Sequence, residues 1–170
     1  MGKIFAGIDP SLTNTGVVLL QDGKVIKSQT NKTDPSKTAK EELERLRRIT
    51  SAVADSFLSD NISLAALEAP SFCSKSSSIV QLSGLNFFLR QTLFENNIPF
   101  LIVPPMTLKK FVGKGNMKKE EVKLAVYKRW GFEDKSNDIT DAYALARFAE
   151  AYVDDKSEDR TTLDKAELIK

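Results

Sequence analysis

The first thirty residues alternate between apolar and polar positions in the manner of short β-strands. Residues 3–9, 14–21 and 24–30 each have this pattern. The second and third segments are joined by Asp22-Gly23, a dipeptide typical of tight hairpin turns. The start of the chain therefore predicts an antiparallel meander of three strands.

From residue 38 the apolar positions recur three or four residues apart, which predicts a helix over residues 38–58. Further helices are predicted at residues 79–95, 106–111, 117–130 and 138–152. Short apolar runs at residues 64–69 and 99–103 predict two more strands, each followed closely by proline. This order predicts an α/β protein with a mixed five-stranded sheet, three antiparallel strands and then two parallel ones, flanked by helices.

The length of 170 residues fits a single domain, which we place at residues 1–153, followed by a polar C-terminal tail at residues 154–170 that we expect to be frayed. No apolar run approaches the roughly 20 residues of a membrane helix, and the N-terminus lacks the pattern of a secretory signal. The single cysteine, Cys73, excludes an internal disulfide and a zinc site built from cysteines. These features fit a soluble protein of a reducing, cytoplasmic compartment.

Histidine is absent from the sequence. This excludes histidine bases, histidine metal ligands and Ser-His-Asp triads. Acid–base chemistry and metal binding must therefore depend on carboxylates.

The charge is unevenly distributed along the chain. The formal net charge is only +2, yet residues 108–129 contain eight Lys or Arg against two Glu. A concentrated basic segment indicates either a surface for a polyanion or a solvated helix face. Charge alone leaves both interpretations open.

Two acidic residues stand at the ends of apolar strands. Asp9 ends the first predicted strand, and Glu68 follows the apolar run of residues 64–67. An ionised carboxylate in such surroundings is costly unless a cation neutralises it. Asp9 has an alternative role as a turn residue before Pro10, whereas Glu68 is harder to explain without a function.

Asp138 and Asp141 lie three residues apart where the last long helix begins, so their side chains share one face. The alanine-rich stretch that follows lets this helix lie close to the sheet, which would bring both residues towards Asp9 and Glu68. The alternatives are that Asp138 offsets the helix dipole and that Asp141 pairs with Arg147 or faces solvent.

Three motifs contain these acids, at residues 7–16 (GIDPSLTNTG), 67–70 (LEAP) and 137–146 (NDITDAYALA). Together they resemble the RuvC family of Holliday junction resolvases, and within it the RuvC-like resolvases of lactococcal bacteriophages. The resemblance extends over about residues 3–150. Ser11 stands where the family usually has glycine, which alters the turn but keeps the acid in place.

The resemblance implies a ribonuclease H-like fold and hydrolysis of branched DNA that leaves 5′-phosphate nicks. Asp9, Glu68, Asp138 and Asp141 would hold two Mg²⁺ ions, for which Mn²⁺ would substitute. The substrates would be four-way junctions, together with forks or flaps.

The resemblance also assigns roles to lysines of the basic segment. Lys109 and Lys119 match the functional lysines of the family best, and Lys110 and Lys118 are alternatives because the register is open by one residue. Further contacts to DNA phosphates are expected from Lys114, Lys123, Lys128 and Arg129.

Phe72, in the serine-rich loop of residues 71–78, matches an aromatic residue of the family that lies one position earlier. It would stack on an unpaired base, or else anchor the loop on the sheet. The family also implies a two-fold homodimer, because symmetric cutting of a four-way junction needs two sites. The apolar helix of residues 79–95 would form the interface, although a helix fully buried in a monomer would have the same composition.

Three other functions remain open at this point. The motif of residues 9–16 is also typical of the phosphate loop of sugar-kinase and actin-like ATPases, but those proteins need two such domains and a longer chain. A branched-DNA-binding module would bind without cutting. Another nuclease of the same fold, such as one that cuts RNA–DNA hybrids, would share the acids, although the D-x-x-D helix favours a junction resolvase.

Overall fold

A mixed β-sheet with helices on both faces forms the centre of the computed structural model, which describes residues 2–57, 61–70, 78–154 and 159–170. The strands are β1 (Ile4–Asp9), β2 (Asn14–Gln21), β3 (Lys24–Lys32), β4 (Ile62–Glu68), β5 (Phe100–Val103) and β6 (Glu167–Ile169). The helices are α1 (Ala39–Phe57), α2 (Ser78–Glu95), α3 (Pro105–Val112), α4 (Lys119–Trp130), α5 (Asn137–Val153) and α6 (Arg160–Leu163). Every predicted element is present, with its ends shifted by no more than one or two residues.

The six strands lie in the order β3-β2-β1-β4-β5-β6. The first three form an antiparallel meander, and β4 and β5 then run parallel to β1. Asp22 and Gly23 join β2 to β3 with φ angles of 50° and 73°. Left-handed backbone at both positions is typical of the tight hairpin turn that the Asp-Gly dipeptide predicts. The strand pairing and the turn together confirm the predicted mixed sheet with its opening meander.

The prediction of five strands and a frayed C-terminal tail is wrong for residues 159–170. β6 pairs antiparallel with β5 and becomes the edge of the sheet. Leu163 of α6 is fully buried in the core. A three-residue, half-exposed edge strand has too short a pattern to be seen in a polar sequence, so it is specified by its packing against β5.

Two hydrophobic cores lie on opposite faces of the sheet, because neighbouring residues of a strand point to opposite sides. In β1, Phe5 packs with α3, α4, α5 and α6, while Ala6 and Ile8 pack with α1 and α2. The sheet is thus covered on both faces, and its central strands β1 and β4 are almost continuously apolar up to the acids that end them.

Helix α2 is apolar on two sides. Its inner side packs Leu85, Leu89 and Leu93 into the core, while Phe87 and Phe94 on the outer side are 66% and 64% exposed. Because these two phenylalanines are exposed, α2 is not fully buried in the monomer, which was the alternative that its composition left open. No helix in the described part of the chain is long and apolar enough to cross a membrane.

Candidate active site

Asp9 and Glu68 end two neighbouring parallel strands. The pairing of Ile8 with Leu67 places the two acids side by side at the same edge of the sheet. Asp9 is buried and Glu68 is partly buried. Two neighbouring carboxylates in such surroundings repel each other when both are ionised, so the pair favours a proton or a bound cation.

Helix α5 lies directly on the strands because two glycines leave room for its backbone. A methyl group at Gly7 would lie 1.9 Å from the carbonyl oxygen of Ala142, and one at Gly16 would lie 2.3 Å from that of Asp138. No side chain larger than hydrogen fits at either position without displacing the helix. The close approach brings the first turn of α5 over the ends of β1 and β4.

Asp138 and Asp141 therefore reach the same site as the two strand-end acids. The amide nitrogen Nδ2 of Asn14 donates a hydrogen bond of 2.5 Å to Oδ2 of Asp138, and the hydroxyl of Ser136 lies 3.4 Å from the same oxygen. Arg147 is bound to Glu150 and so does not pair with Asp141. Asn14 was missed in the sequence, because an asparagine at the start of a strand has no pattern that points to a distant acid.

The loop between Asp9 and β2 is held by residues that the sequence does not single out. The buried guanidinium of Arg45 donates hydrogen bonds to the carbonyl oxygen of Leu12 and to the hydroxyl of Thr33. Thr33 in turn donates to the same carbonyl oxygen at 2.5 Å. These contacts fix the loop against the end of β3, beside the acids.

Burial and the neighbouring negative charges raise the pKa of Asp9, Glu68 and Asp141. Burial raises the pKa of Asp9 well above its usual value, and Glu68, Asp141 and Asp138 raise it further. Burial and the charge of Asp141 raise the pKa of Glu68 to about 7. The pKa of Asp141 is also raised, by burial above all. Without a cation, the site therefore binds protons at a pH where free carboxylates are ionised.

Lys109 of α3 and Lys119 of α4 face these acids. Both line, with the four carboxylates, a cleft with a volume of about 290 Å³. Their positive charges lower the pKa of Glu68 and of Asp141, against the effect of burial. Acidic and basic side chains thus line the same cleft. This arrangement suits a divalent cation beside a phosphate.

The donor set fits hard divalent cations such as Mg²⁺ or Mn²⁺, which prefer carboxylate oxygens. Among the described residues, no three acidic side chains surround one point closely enough to form a ready site for a single ion. The four carboxylates line one cleft together.

A match to a family model favours one of the functions that the sequence leaves open. The model described as crossover junction endodeoxyribonuclease RuvC matches residues 5–148, which include all four acids and both lysines of the cleft. The chain belongs to the RuvC family. It is therefore a junction-resolving endonuclease, and enzymes of this family generally use divalent metal ions.

Solved structures support the RuvC fold. A structure of Thermus thermophilus RuvC is 23% identical, covers 98% of this chain and 99% of that one, and has a TM-score of 0.74. T. thermophilus RuvC in complex with a Holliday junction substrate is 21% identical over the same shares of the two chains, with a TM-score of 0.72. The fowlpox virus resolvase, in complex with a substrate Holliday junction, is 17% identical, covers 86% of this chain and 99% of that one, and has a TM-score of 0.50. No curated protein matches the sequence.

The other lysines assigned by resemblance to RuvC lie around the cleft rather than in it. Lys114 and Lys118 are exposed, and the side chain of Lys110 packs over Gly115. Lys123 donates hydrogen bonds to the carbonyl oxygens of residues 134 and 135, at 3.2 and 2.7 Å. Some of the N–H groups of its ammonium group thus tie α4 to the turn before α5. Its contact with DNA stays a prediction.

Arg129 and Phe72 are two further residues that the resemblance to RuvC assigns to DNA contacts. Arg129 packs over the rings of Phe111 and Trp130, bonds to the carbonyl oxygen of Phe111 and pairs with Asp159. It therefore joins the C-terminal segment to the domain, and its contact with DNA stays a prediction. Phe72 lies outside the described residues, so its role also stays a prediction.

Proposed function

We propose that this RuvC-family chain resolves Holliday junctions and related branched DNA as a homodimer, by Mg²⁺-dependent hydrolysis that leaves 5′-phosphate nicks. The observation that carries the proposal is the cleft in which Asp9, Glu68, Asp138 and Asp141 face two lysines. The T. thermophilus and fowlpox virus proteins, which share the fold, are both described in complex with Holliday junctions.

The four carboxylates would hold a pair of Mg²⁺ ions, and Mn²⁺ would substitute. When bound, the ions lower the pKa of a water molecule and stabilise negative charge on the leaving 3′ oxygen. Asp9 and Glu68 fix the buried end of the site because they sit on rigid central strands. Asp138 and Asp141 close it from the first turn of α5.

Lys109 and Lys119 would stabilise negative charge on the scissile phosphate. They come from different helices and line the same cleft as the acids. An ammonium group in this position acts on charge that develops in the transition state, where it is most effective. The chain has no histidine, and among the residues that the structure describes, these two lysines and the four carboxylates are the ionisable side chains that line the cleft.

The exposed cations beside the cleft would hold the DNA strand through its phosphates. Lys114 and Lys118 lie between the two cleft lysines in the sequence and are open to solvent. Contacts of this kind position the backbone without reading sequence, and the affinity they give falls steeply with salt.

Helix α2 offers the surface for a homodimer. Val80, Phe87 and Phe94 recur every seven residues, so they form one stripe along the helix, and all three are more than 60% exposed. Phe88 beside them is 41% exposed. A stripe of this composition is costly in water, and packing it against its own copy would give two active sites related by two-fold symmetry.

The test is cleavage of a synthetic four-way junction by the wild type and by Asp9→Asn, with and without Mg²⁺. We expect the variant to bind the junction and to lose cleavage by at least about 100-fold, because one carboxylate that fixes the ions is gone. Asp55→Asn, at an exposed acid of α1, is the matched control and should cut like the wild type. A 5′-phosphate product is checked by sealing the nicks with DNA ligase.

Each other outcome would contradict a stated part of the proposal. Full cleavage by Asp9→Asn would overturn the site assignment. Binding without cleavage by the wild type would favour a DNA-binding module, and preferential cleavage of an RNA–DNA hybrid would favour another nuclease of this fold.

A further inference from the structure

We infer that Asn14 is a positioning residue that holds the carboxylate of Asp138 in the orientation needed to bind metal. This inference rests on the proposed metal site, which it deepens. It extends the site from the four acids to a neutral residue at the start of β2.

The contact is short and joins distant parts of the chain. Nδ2 of Asn14 lies 2.5 Å from Oδ2 of Asp138, although the two residues are 124 positions apart in the sequence. Below them, Gly16 lies against the carbonyl group of Asp138 so closely that even a methyl group would clash. The first turn of α5 is therefore seated on β2 by its backbone and tied to it by the Asn14 amide.

Stability alone does not account for this amide. The oxygen Oδ1 of Asn14 is buried and has no hydrogen-bond partner in the described part of the chain. Leaving such an atom unpaired costs about 1–3 kcal/mol, and an apolar side chain of similar shape would avoid that cost. A costly residue retained beside an active site is better explained by what its other end does, which is to donate to Asp138.

Asn14 is itself held firmly enough to act as an anchor. Its backbone nitrogen donates to the hydroxyl of Ser11 at 3.3 Å, within the loop that follows Asp9. The same loop is fastened to β3 through Arg45 and Thr33. The donor that faces Asp138 is thus fixed relative to Asp9, and both acids keep a constant separation.

The need for an anchor follows from charge. Asp138 lines the same cleft as three other acids, and like charges at such short range repel one another when they are ionised. A half-exposed carboxylate would relieve this repulsion by turning towards solvent. The neutral donor of Asn14 keeps Oδ2 in place without adding charge, and Oδ1 of Asp138 stays available for an ion.

The experiment measures binding of Mn²⁺ alone, by electron paramagnetic resonance of the free ion, to the full chain. We expect Asn14→Ala and Asn14→Leu to bind Mn²⁺ about 10-fold more weakly than the wild type, the loss typical when a residue orienting a metal ligand is removed. The Mg²⁺ concentration for half-maximal cleavage should rise by a similar factor, while cleavage at saturating Mg²⁺ recovers. Thermal unfolding without metal should be unchanged or improved for Asn14→Leu.

Asn31→Ala is the matched control, because Asn31 is a half-buried asparagine of the neighbouring strand whose amide nitrogen also lacks a partner. It should bind Mn²⁺ like the wild type. Wild-type affinity in both Asn14 variants, an equal loss in Asn31→Ala, or failure of both Asn14 variants to fold would overturn the inference. Absence of Mn²⁺ binding by the wild type would instead overturn the proposed metal site itself.

Discussion

At the scale of single residues, the molecule keeps an energetically unfavourable group of acids at the ends of two buried strands. Asp9 and Glu68 end neighbouring strands, and burial raises the pKa of both. A raised carboxyl pKa means that ionisation costs more in the folded than in the unfolded state. The acids therefore oppose folding at neutral pH unless a cation is bound.

The first consequence is a pH dependence of stability that Glu68→Gln should reduce. The pKa of Glu68 is raised from 4.5 to about 7. Stability of the metal-free protein should therefore fall as the pH rises from about 4.5 to about 7, because the unfolded state releases the proton first. At about pH 8 in a chelator, we expect Glu68→Gln to be more stable than the wild type by roughly 1–3 kcal/mol.

Denaturant unfolding at about pH 4.5 and about pH 8 measures this difference. The advantage of Glu68→Gln should be small at the lower pH, and Mg²⁺ should stabilise the wild type at the higher pH but not the variant. Equal stabilities of the two proteins at about pH 8 would show that ionised Glu68 carries no cost in the fold.

At the scale of elements, the contact between α5 and the sheet determines whether the acids meet. The alanines of α5 were predicted to allow a close approach, but the complementary feature lies on the strands, where Gly7 and Gly16 leave space for the helix backbone. A glycine within a strand weakens the strand and is best explained by such an approach. The site is therefore built by matched small residues on two elements.

Gly7→Ala tests this contact. The added methyl group would lie 1.9 Å from the carbonyl oxygen of Ala142, so α5 must move. We expect the free energy of unfolding to fall by at least about 3 kcal/mol, which is the upper end of the range for substitutions that overpack a core. Gly84→Ala is the control, because its methyl group would meet only Leu46, at 3.6 Å.

Alanine also suits a helix better than glycine, so Gly84→Ala in α2 should be stabilised by about 0.5–1 kcal/mol. Chemical unfolding of both variants gives the two values. A wild-type stability for Gly7→Ala would mean that α5 does not lie on β1 as described.

The sequence predicts that the four acids meet, as they do in the cleft, because each is marked by its surroundings. Asp9 and Glu68 interrupt apolar strands, and Asp138 and Asp141 share a helix face. The sequence does not predict Asn14 or Arg45. Their roles depend on contacts across long separations in the chain, and asparagine and arginine are common where they make no such contact. The pattern also missed β6, whose position is set by its partner strand.

At the scale of the whole molecule, the outer stripe of α2 is the feature that a monomer does not explain. Val80, Phe87 and Phe94 point away from the core over almost the entire helix. The inner residues of the same helix include Asn86, which donates a hydrogen bond of 2.8 Å to the carbonyl oxygen of Glu68. The proposed dimer surface and the end of β4 are therefore connected through one helix.

Phe87→Asp should separate the proposed dimer. A charge in the middle of an apolar stripe is expected to raise the dimer dissociation constant at least about 30-fold, as for truncation of a central interface residue. Light scattering coupled to gel filtration reports the mass, and circular dichroism reports the fold. Leu124→Asp, at a site on α4 that is 53% exposed, is the matched control and should leave the mass unchanged.

A wild type that is monomeric at micromolar concentration, or a variant with the wild-type mass, would contradict the assignment of the dimer surface to α2.

The strand at the other end of the chain has a practical consequence. β6 pairs with β5 and covers the edge that β5 would otherwise expose to solvent. Removing residues 159–170 would leave Phe100, Leu101 and Ile102 paired with β4 on one side and unpaired on the side that β6 now covers. An open edge of this kind is a template for pairing between molecules, so the shortened protein would tend to precipitate rather than behave as a smaller nuclease.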